Sequence, residues 1–332
     1  MKMPDRFNIT AVADPRAEKR KIAEGQLNCK SYADYTEILY RKEKVGDLII
    51  NTLPSHLHCE SSIKMMKAGF HVLCEKPAAR TVDEIDRMIE CSRATGKVLA
   101  IYQNLGYFPH VAKIKEIIDS GVLGRIAAVE LKAGSFQRRY DWQSMLKYNG
   151  GNIYNKGAHL IDQAMQLFEF KRIPEVYGMM DRVISLGDAD DFTKIIIRDE
   201  LLPVMDLEMS SCRVYNDYII NVQGSLGGLV CKDEHHIKWK YFRPEEAPEL
   251  ELTETPIDDY CKDNLTWYEN EWVCPDEIRD LFPYAHMKLY YNIYDVLANN
   301  GKLNNTPEKA RIQLSIIEKC REQNSRFVYS GE

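Results

Sequence analysis

Four short apolar runs, separated by amphipathic segments, constrain the first third of this chain more than any other feature. The runs are ITAVA (9–13), DLIINT (47–52), HVLC (71–74) and VLAI (98–101). They are continuously apolar rather than alternating, which is typical of parallel strands covered on both faces. Because short helical segments connect them, they predict an α/β fold with a Rossmann-type, doubly wound parallel sheet.

The helix boundaries in this part carry local signals. Thr81 and Glu84 form a capping box ahead of an apolar helical face, and Gly96 ends that helix. A second helix is predicted to stop at Gly121.

The pattern changes after Gly124, where apolar runs follow one another with only turns between them. Turns such as RDEL and GSLGG predict a large, mostly antiparallel open sheet. One helix at about 157–168 interrupts it, the stretch 243–280 is predicted to be loop, and two helices close the chain, the last capped by Thr306. The predicted strands are 125–134, 176–184, 193–199, 202–210, 217–224 and 227–232.

Length and pattern together predict two domains, 1–122 and 123–332. A single core rarely grows beyond about 250–300 residues, and this chain has 332. The open sheet of the second domain needs a cover, so a homo-oligomer is predicted through that sheet. The alternating runs IIIR and IINV are expected to supply its apolar face.

Composition excludes several classes of protein. The formal net charge of −6 and the pI of about 5.8 argue against a general nucleic-acid binder. No apolar run approaches the roughly 18 residues of a membrane span, and none forms a signal-peptide core. The nine cysteines show no CxxC pair, which predicts free thiols, a cytoplasmic protein and no metal site.

The glycine-rich loop of a nucleotide-binding domain is absent from these residues. Such a domain normally opens with a strand and G-x-G-x-x-G, whereas the run 9–13 ends in Asp14, as the second strand of such a domain does. The chain is therefore expected to start one strand and one helix late, because of a downstream start, a fragment or a real loss. The runs 9–13 and 47–52 should then flank a gap, or close it by pairing in a new order. Without the loop, pyrophosphate loses backbone N–H partners and a dinucleotide should bind weakly.

Lys76 follows the run 71–74, in the sequence Glu75-Lys76-Pro77. A parallel strand delivers side chains to a ligand crevice at this end, and partial burial lowers the pKa of a lysine towards neutrality. Pro77 stops the strand and permits a cis bond. The alternative is a surface lysine in an ordinary turn.

The segment GGNIYNKGAHLIDQAM (150–165) is the second candidate. Asn155, His159 and Asp162 are spaced to share one helical face, which places an imidazole suited to acid/base work between two polar groups. The alternative is a helix-start histidine bonded to Asp162. Zinc is disfavoured, since H-x-x-D offers only two ligands.

Three further segments are predicted to border the same crevice. NTLPSHLHCE (51–60) is typical of a loop over a cofactor, and YQNLGYFPH (102–110) places polar side chains after the fourth strand. SFQRRYDWQ (135–143) combines aromatic side chains, which stack on sugars, with arginines, which bind anions. The predicted cofactor-contacting residues here are Thr52, Pro54, His58, Gln103 and Asn104, and the predicted substrate-contacting residues are Tyr140 and Trp142.

In this order, the segments resemble the glucose–fructose oxidoreductase, inositol dehydrogenase and rhizopine-catabolism (Gfo/Idh/MocA) family. The resemblance runs from AVADP through LCEKPAA and GGNIYNKGAHLIDQAMQLF to NNTPEKARIQLSIIEKC. It implies a dinucleotide-binding domain, a substrate-binding and oligomerisation domain, and NAD(P)-dependent oxidation or reduction of a secondary hydroxyl of a sugar, cyclitol or related polyol.

The resemblance also implies residue roles. Lys76 matches the family lysine near the nicotinamide and the substrate hydroxyl, and His159 matches its general acid/base. Asp14 matches the ribose-binding acid, which favours NAD over NADP, although Arg16 is compatible with a 2′-phosphate. Many members place aspartate where this chain has Asn155, which cannot ionise. The matching cofactor stretch is Thr52, Pro54, His58, Glu75, Lys76 and Pro77.

Two other functions stay open at this point. Some relatives use bound nicotinamide transiently to cleave glycosidic bonds with no net redox change. A sugar-sensing or scaffold protein that lost the phosphate loop is the non-enzymatic alternative.

Overall fold

The computed structural model describes residue 3 and residues 5–41, 44–256 and 263–329. The helices are α1 (Ala17–Leu27), α2 (Thr36–Leu39), α3 (His58–Lys67), α4 (Val82–Thr95), α5 (Pro109–Asp119), α6 (Ala158–Leu167), α7 (Leu281–Asn299) and α8 (Pro307–Glu322). The strands are β1 (Ala11–Ala13), β2 (Lys30–Tyr32), β3 (Leu48–Asn51), β4 (His71–Glu75), β5 (Leu99–Tyr102), β6 (Ile126–Gly134), β7 (Glu175–Asp181), β8 (Phe192–Asp199), β9 (Leu202–Ser210), β10 (Ile220–Gly224), β11 (Gly227–Asp233), β12 (His236–Tyr241) and β13 (Tyr268–Val273).

The first third is a Rossmann-like parallel sheet, as predicted. β4 lies between β3 and β5 and pairs in parallel with both. Its central residues Val72, Leu73 and Cys74 are fully buried, because α3 packs beside the strand and α7 packs against Leu73. The predicted caps of α4 are present: Thr81 Oγ1 accepts from the Glu84 N–H at 3.2 Å, and Gly96 has a φ of 65°.

The parallel sheet is divided into two pieces. β1 pairs with β2, which was not predicted, and no described strand joins β1 to β3. Ile9 and Ile50 are 50% and 42% exposed beside this division. Of the two predicted arrangements, the strands therefore flank a gap rather than pairing in a new order.

The second sheet is large and mixed, with the order β13-β12-β11-β10-β6-β9-β8-β7. Every pair is antiparallel except β6 and β9, which run in parallel. The prediction of loop for 243–280 is wrong at β13, which pairs with β12. Its sequence YENEWV is polar because it lies at a sheet edge, so it lacks the apolar pattern used to recognise a strand. Residues 257–262 of that stretch, with Cys261, lie outside the described residues.

One face of this sheet is covered by helices, and the other is open and carries both charged and apolar side chains. Ile195, Ile197 and Val222 are fully buried. They lie on the side of the sheet where α6 and α8 pack. The prediction that the IIIR and IINV runs supply an apolar open face is therefore wrong for these three residues, because helices already cover them, whereas Ile196 is half-buried on the open face beside Tyr177 and Asp206. The open face carries ion pairs such as Lys194 Nζ to Asp206 Oδ2 at 2.8 Å. The homo-oligomer stays a prediction.

The two C-terminal helices return to the first sheet. Leu289 and Ile293 of α7 pack with Leu73 and Ala100 in one buried cluster. α8 begins at the predicted Thr306 cap and contacts α4, β5 and β7. These helices therefore bind the parallel and mixed sheets together. No helix among the described residues is long and apolar enough to cross a membrane.

Candidate active site

Lys76 connects the end of β4 to the segment that precedes α6. It follows β4 at the carboxyl edge of the parallel sheet, and the peptide bond from Lys76 to Pro77 is cis. Its Nζ donates to Asn155 Oδ1 at 2.9 Å and to the Asn155 carbonyl oxygen at 3.0 Å. Residues 79 positions apart in sequence thus meet at one point, which joins two of the predicted site residues.

The environment of Lys76 favours proton exchange near neutrality. Burial lowers the pKa of its ammonium to about 8; Glu75 opposes this shift and Arg139 adds to it. Burial also raises the pKa of the Glu75 carboxyl. An amine that titrates near pH 8 can both take up and release a proton at physiological pH.

Asn155 and His159 lie where a π-helix turns into α6. The π-helix spans Ile153–Gly157, and π-turns occur frequently at functional sites. Burial, and then the charge of Lys76, lower the pKa of His159 to about 3. Its Nδ1 is shielded from solvent and has no hydrogen-bond partner among the described residues. His159 is therefore a neutral imidazole within electrostatic reach of the Lys76 amine.

Asp162 does not pair with His159. The structure places it in a small cavity of its own, which Gln103 and Asn305 also line. Each of these three residues is at least nine-tenths buried and leaves one oxygen without a partner among the described residues. Burial raises the pKa of Asp162 to about 7. Neither the predicted shared site nor the alternative His159–Asp162 bond is present.

Gln103 and Asn104 bind the C-terminal helices rather than facing an open crevice. Gln103 Nε2 donates to Gln313 Oε1 at 3.0 Å, and Asn305 Nδ2 donates to the Gln103 carbonyl at 2.7 Å. Asn104 Nδ2 lies 3.0 Å from His286 Nε2. Sequence reasoning missed these partners, since they lie 182 to 210 positions away and carry no local signal.

The loop after β3 presents an open edge beside the same crevice. Thr52 and Pro54 are exposed, whereas His58 is buried. The His58 ring lies 2.7 Å from the Leu53 carbonyl and 2.8 Å from the Pro77 carbonyl. A neutral imidazole can donate to only one of them, and burial lowers the pKa of His58. This histidine therefore connects the loop to the cis-proline turn from inside.

Asp14 is already engaged by its neighbour. Arg16 donates to it from Nε at 3.0 Å, from Nη2 at 2.9 Å and from its backbone N–H at 2.8 Å. The side-chain bond from Arg16, the largest cause, lowers the pKa of Asp14 to about 2. The predicted ribose acid and the predicted 2′-phosphate ligand therefore neutralise each other.

The segment after β6 contributes partly buried and exposed groups. Tyr140 and Trp142 are 81% and 44% exposed. In contrast, the Nη1 of Arg139 is buried and has no hydrogen-bond partner among the described residues. It lines a second small pocket with Gln143 and Asn155, so this segment reaches the Lys76 site.

The residues present fit a dinucleotide at its two ends. Thr52, Pro54 and Lys76 lie at the carboxyl edge of β3 and β4, and Asp14 lies at the end of β1, where such a fold binds a nicotinamide and an adenosine ribose. G-x-G-x-x-G occurs nowhere in the printed sequence. Among the described residues, no three His, Cys, Asp or Glu side chains are grouped to hold a metal ion.

Comparison with known proteins identifies relatives named for a neuraminate derivative and for an inositol. The chain is 25% identical to 2,7-anhydro-N-acetylneuraminate hydratase of Escherichia coli, over 69% of this chain and 62% of that protein. It is 26% identical to scyllo-inositol 2-dehydrogenase (NADP+) IolW of Bacillus subtilis, over 77% of this chain and 67% of that protein.

Solved structures show the same fold at lower identity. The WlbA dehydrogenase of Bordetella pertussis, in complex with NADH and UDP-GlcNAcA, superposes with a TM-score of 0.76 at 17% identity. The match covers 97% of this chain and 89% of that one.

Two family models match successive parts of the chain. Residues 1–103 match the oxidoreductase family with an NAD-binding Rossmann fold, and residues 111–230 match the GFO/IDH/MocA C-terminal domain. These matches follow the order of the two sheets and include Lys76 in the first part and His159 in the second. The chain therefore belongs to the Gfo/Idh/MocA oxidoreductase family.

Proposed function

We propose that this protein is an NAD(P)-dependent oxidoreductase that acts on a secondary hydroxyl of a sugar, cyclitol or related polyol. The observation that carries the proposal is the bond from Lys76 Nζ to Asn155 Oδ1 at 2.9 Å. It places a perturbed amine from the cofactor-side sheet against a helix start from the other sheet. Family membership and the scyllo-inositol dehydrogenase relative support the reaction class.

Lys76 is assigned the proton transfer. In oxidation its neutral amine accepts the hydroxyl proton, and in reduction its ammonium returns it. With a pKa of about 8, both forms are populated near neutrality. Asn155 accepts hydrogen bonds from this amine and thereby fixes its position.

His159 is assigned to orientation of the hydroxyl. A ring with a pKa of about 3 stays neutral at physiological pH, so it acts through one N–H donor and one acceptor nitrogen. This modifies the role implied by the family resemblance: the amine, rather than the imidazole, holds the exchangeable proton. The arrangement matches the general rule that acid and base in one site are separated by their environments.

Thr52, Pro54, Glu75 and Lys76 would hold the nicotinamide end, and Asp14 with Arg16 the adenosine end. When bound, the nicotinamide accepts or supplies the hydride. Arg16 binds the Asp14 carboxylate and presents its own guanidinium beside it. The chain is therefore proposed to accept both NAD and NADP.

Replacement of Lys76 tests the assignment. The purified chain is incubated with NAD+ or NADP+ and a panel of cyclitols, hexoses and amino sugars, and reduced nicotinamide is followed by absorbance. Lys76→Ala should reduce turnover by about 10²- to 10⁴-fold, the range for loss of a general acid/base. Lys67→Ala, at an exposed lysine of α3, is the matched control and should leave the rate unchanged. Full activity in Lys76→Ala, with an unchanged circular dichroism spectrum, would refute the role.

A second candidate reaction has its own support. Hydratase relatives from two bacteria match 69% of this chain, which favours a hydration or elimination without net redox change. Mass spectrometry of the sugar product separates the two reactions. A product that forms at more than one equivalent per nicotinamide, with no accumulation of reduced cofactor, would select the second.

A further inference from the structure

An arginine beside the proposed site has an unsatisfied donor. Arg139 follows β6, and its Nη1 is shielded from solvent without a partner among the described residues. It lines a small pocket together with Gln143 and Asn155, and Asn155 is the residue that accepts from Lys76. Asn155 therefore links the free donor of Arg139 to Lys76, the proposed reacting group.

Two lysines add positive charge at the same place. Lys156 is half-buried and donates from Nζ to the Ser210 carbonyl at 3.3 Å. Burial lowers the pKa of both Lys76 and Lys156, and the charge of Arg139 contributes to each shift. Arg139 thus lies within electrostatic reach of both amines.

The nearby carboxylates compensate this charge only in part. Asp141 lies 3.7 Å from Arg139 Nε, a long contact. Asp191, in the same pocket, accepts backbone N–H groups from residues 183, 184 and 185. Asp190 accepts from the Ile153 N–H and the Thr193 hydroxyl through Oδ2, whereas its Oδ1 has no partner among the described residues. Asp191 is therefore engaged in holding the backbone, and Asp190 leaves one oxygen of its carboxyl free beside the cations.

A buried cationic donor without a partner is costly, and an anion placed on it removes that cost. A guanidinium matches the planar, two-oxygen geometry of a carboxylate better than an ammonium does. The hydratase relatives take an N-acetylneuraminate derivative, and neuraminates are sugar carboxylates.

We propose that the substrate is a sugar acid, and that Arg139, assisted by Lys156, binds its carboxylate while Lys76 faces a hydroxyl of the same molecule. This specificity rests on the proposed function and adds a substrate class to it. It makes Arg139 the residue that separates acidic from neutral sugars.

Equilibrium binding tests this without requiring turnover. Isothermal titration calorimetry of the full chain, with and without NADH, compares glucuronate with glucose and galacturonate with galactose, pairs that differ only at the terminal carbon. N-acetylneuraminate and glucose 6-phosphate are additional probes. At least one sugar acid should bind about tenfold or more tightly than its neutral counterpart, the effect of one charge-assisted hydrogen bond.

Variants at neighbouring arginines provide the control. Arg139→Gln should remove the preference for the acid, and Arg139→Lys should retain part of it. Arg138→Gln, at the adjacent exposed arginine, should leave it intact. Unchanged thermal unfolding of Arg139→Gln is required, and Arg139→Lys replaces that variant in the comparison if it unfolds.

The outcomes separate this proposal from the proposed function. Equal affinity for acids and neutral sugars, no binding of any acid, or equal losses in Arg138→Gln and Arg139→Gln would overturn the sugar-acid assignment and leave the Lys76 test untouched. Tighter binding of glucose 6-phosphate than of every carboxylate would also overturn it. Turnover that survives Lys76→Ala, with acid binding still dependent on Arg139, would overturn the mechanism alone.

Discussion

The region around Lys76 and the region formed by β1, β2 and α1 belong to the same Rossmann-like part but are built very differently. β4, which precedes Lys76, has three fully buried residues in succession and a paired strand on each side. β1 has only half-buried residues and pairs with one short strand, and α1 has no buried residue. The end of the fold proposed to carry the chemistry is therefore rigidly supported, whereas the end proposed to bind the adenosine is supported mainly by surface contacts.

This contrast has a consequence for function. Preorganised groups contribute most to catalysis when surrounding packing holds them in place. Lys76 and Asn155 meet that condition, because both lie between packed sheets. Asp14 and Arg16 are held by each other, which leaves cofactor affinity and selectivity to a region with little tertiary support.

Core truncations should break the contrast most strongly. Leu73→Ala in β4 should lower the free energy of unfolding by about 2–5 kcal/mol, because a fully buried leucine leaves a cavity. Ile22→Ala in α1, where Ile22 is 50% exposed, should change it by less than about 0.5 kcal/mol. Urea denaturation followed by circular dichroism measures both. Equal losses would show that α1 is as well packed as β4.

The pH dependence of turnover should be the next largest effect. Oxidation needs the neutral Lys76 amine, so its rate should rise about tenfold per pH unit below an inflection near pH 8 and level off above it. Reduction needs the ammonium and should decline above the same inflection. Initial rates in both directions, over the pH range in which the fold is intact, measure this. An inflection that is unchanged in Lys76→Ala would assign it to another group.

Asp162 should produce a smaller effect on stability. Its carboxyl has a raised pKa of about 7 in the fold, so the unfolded chain ionises first, and stability declines as pH rises from about 4 to about 7. Asp162→Asn should remove that decline and supply an N–H to the acceptors Gln103 and Asn305. At pH 8 the free energy of unfolding of the variant should exceed that of the wild type by about 1 kcal/mol. Thermal melts across this pH range test it, and a steeper decline in the variant would contradict the assignment.

Cofactor selectivity should show the smallest change. Arg16→Ala frees Asp14 to accept from a ribose hydroxyl and removes the cation beside a 2′-phosphate. The ratio of NADPH to NADH dissociation constants should rise by a few fold, because the pair is solvent-exposed and its electrostatic contribution is screened. Fluorescence titration with each cofactor measures the ratio. An unchanged ratio would show that Asp14 and Arg16 do not contact the 2′ position of the adenosine ribose.

Sequence reasoning succeeded where a local pattern and a buried position coincide. β4 and α4 were predicted from an unbroken apolar run and a capping box, and both are present. Lys76 and Asn155 were predicted separately, and the structure brings them into contact. The roles assigned to these two residues remain proposals.

Sequence reasoning was less successful where the deciding partner lies far away in the chain. Gln103 carries no sign that Gln313 binds it, and Asp162 has correct helical spacing yet lines a different cavity. β13 is polar because it lies at a sheet edge, so no apolar period identifies it. The unpaired donor of Arg139 is buried by residues from several segments. A short stretch of sequence cannot show such burial.

The sequence by itself determined the strands and helices that have an apolar run or a cap, the family, and the residue types available for chemistry. Apolar runs and caps act over a few residues, and this is why they can be interpreted without coordinates. Only the tertiary structure decided that the parallel sheet is split, that ion pairs lie on the open sheet face, and that an amine after β4 meets an amide before α6. Those outcomes depend on desolvation and contacts between distant segments, and such free energies exist only once the chain has packed.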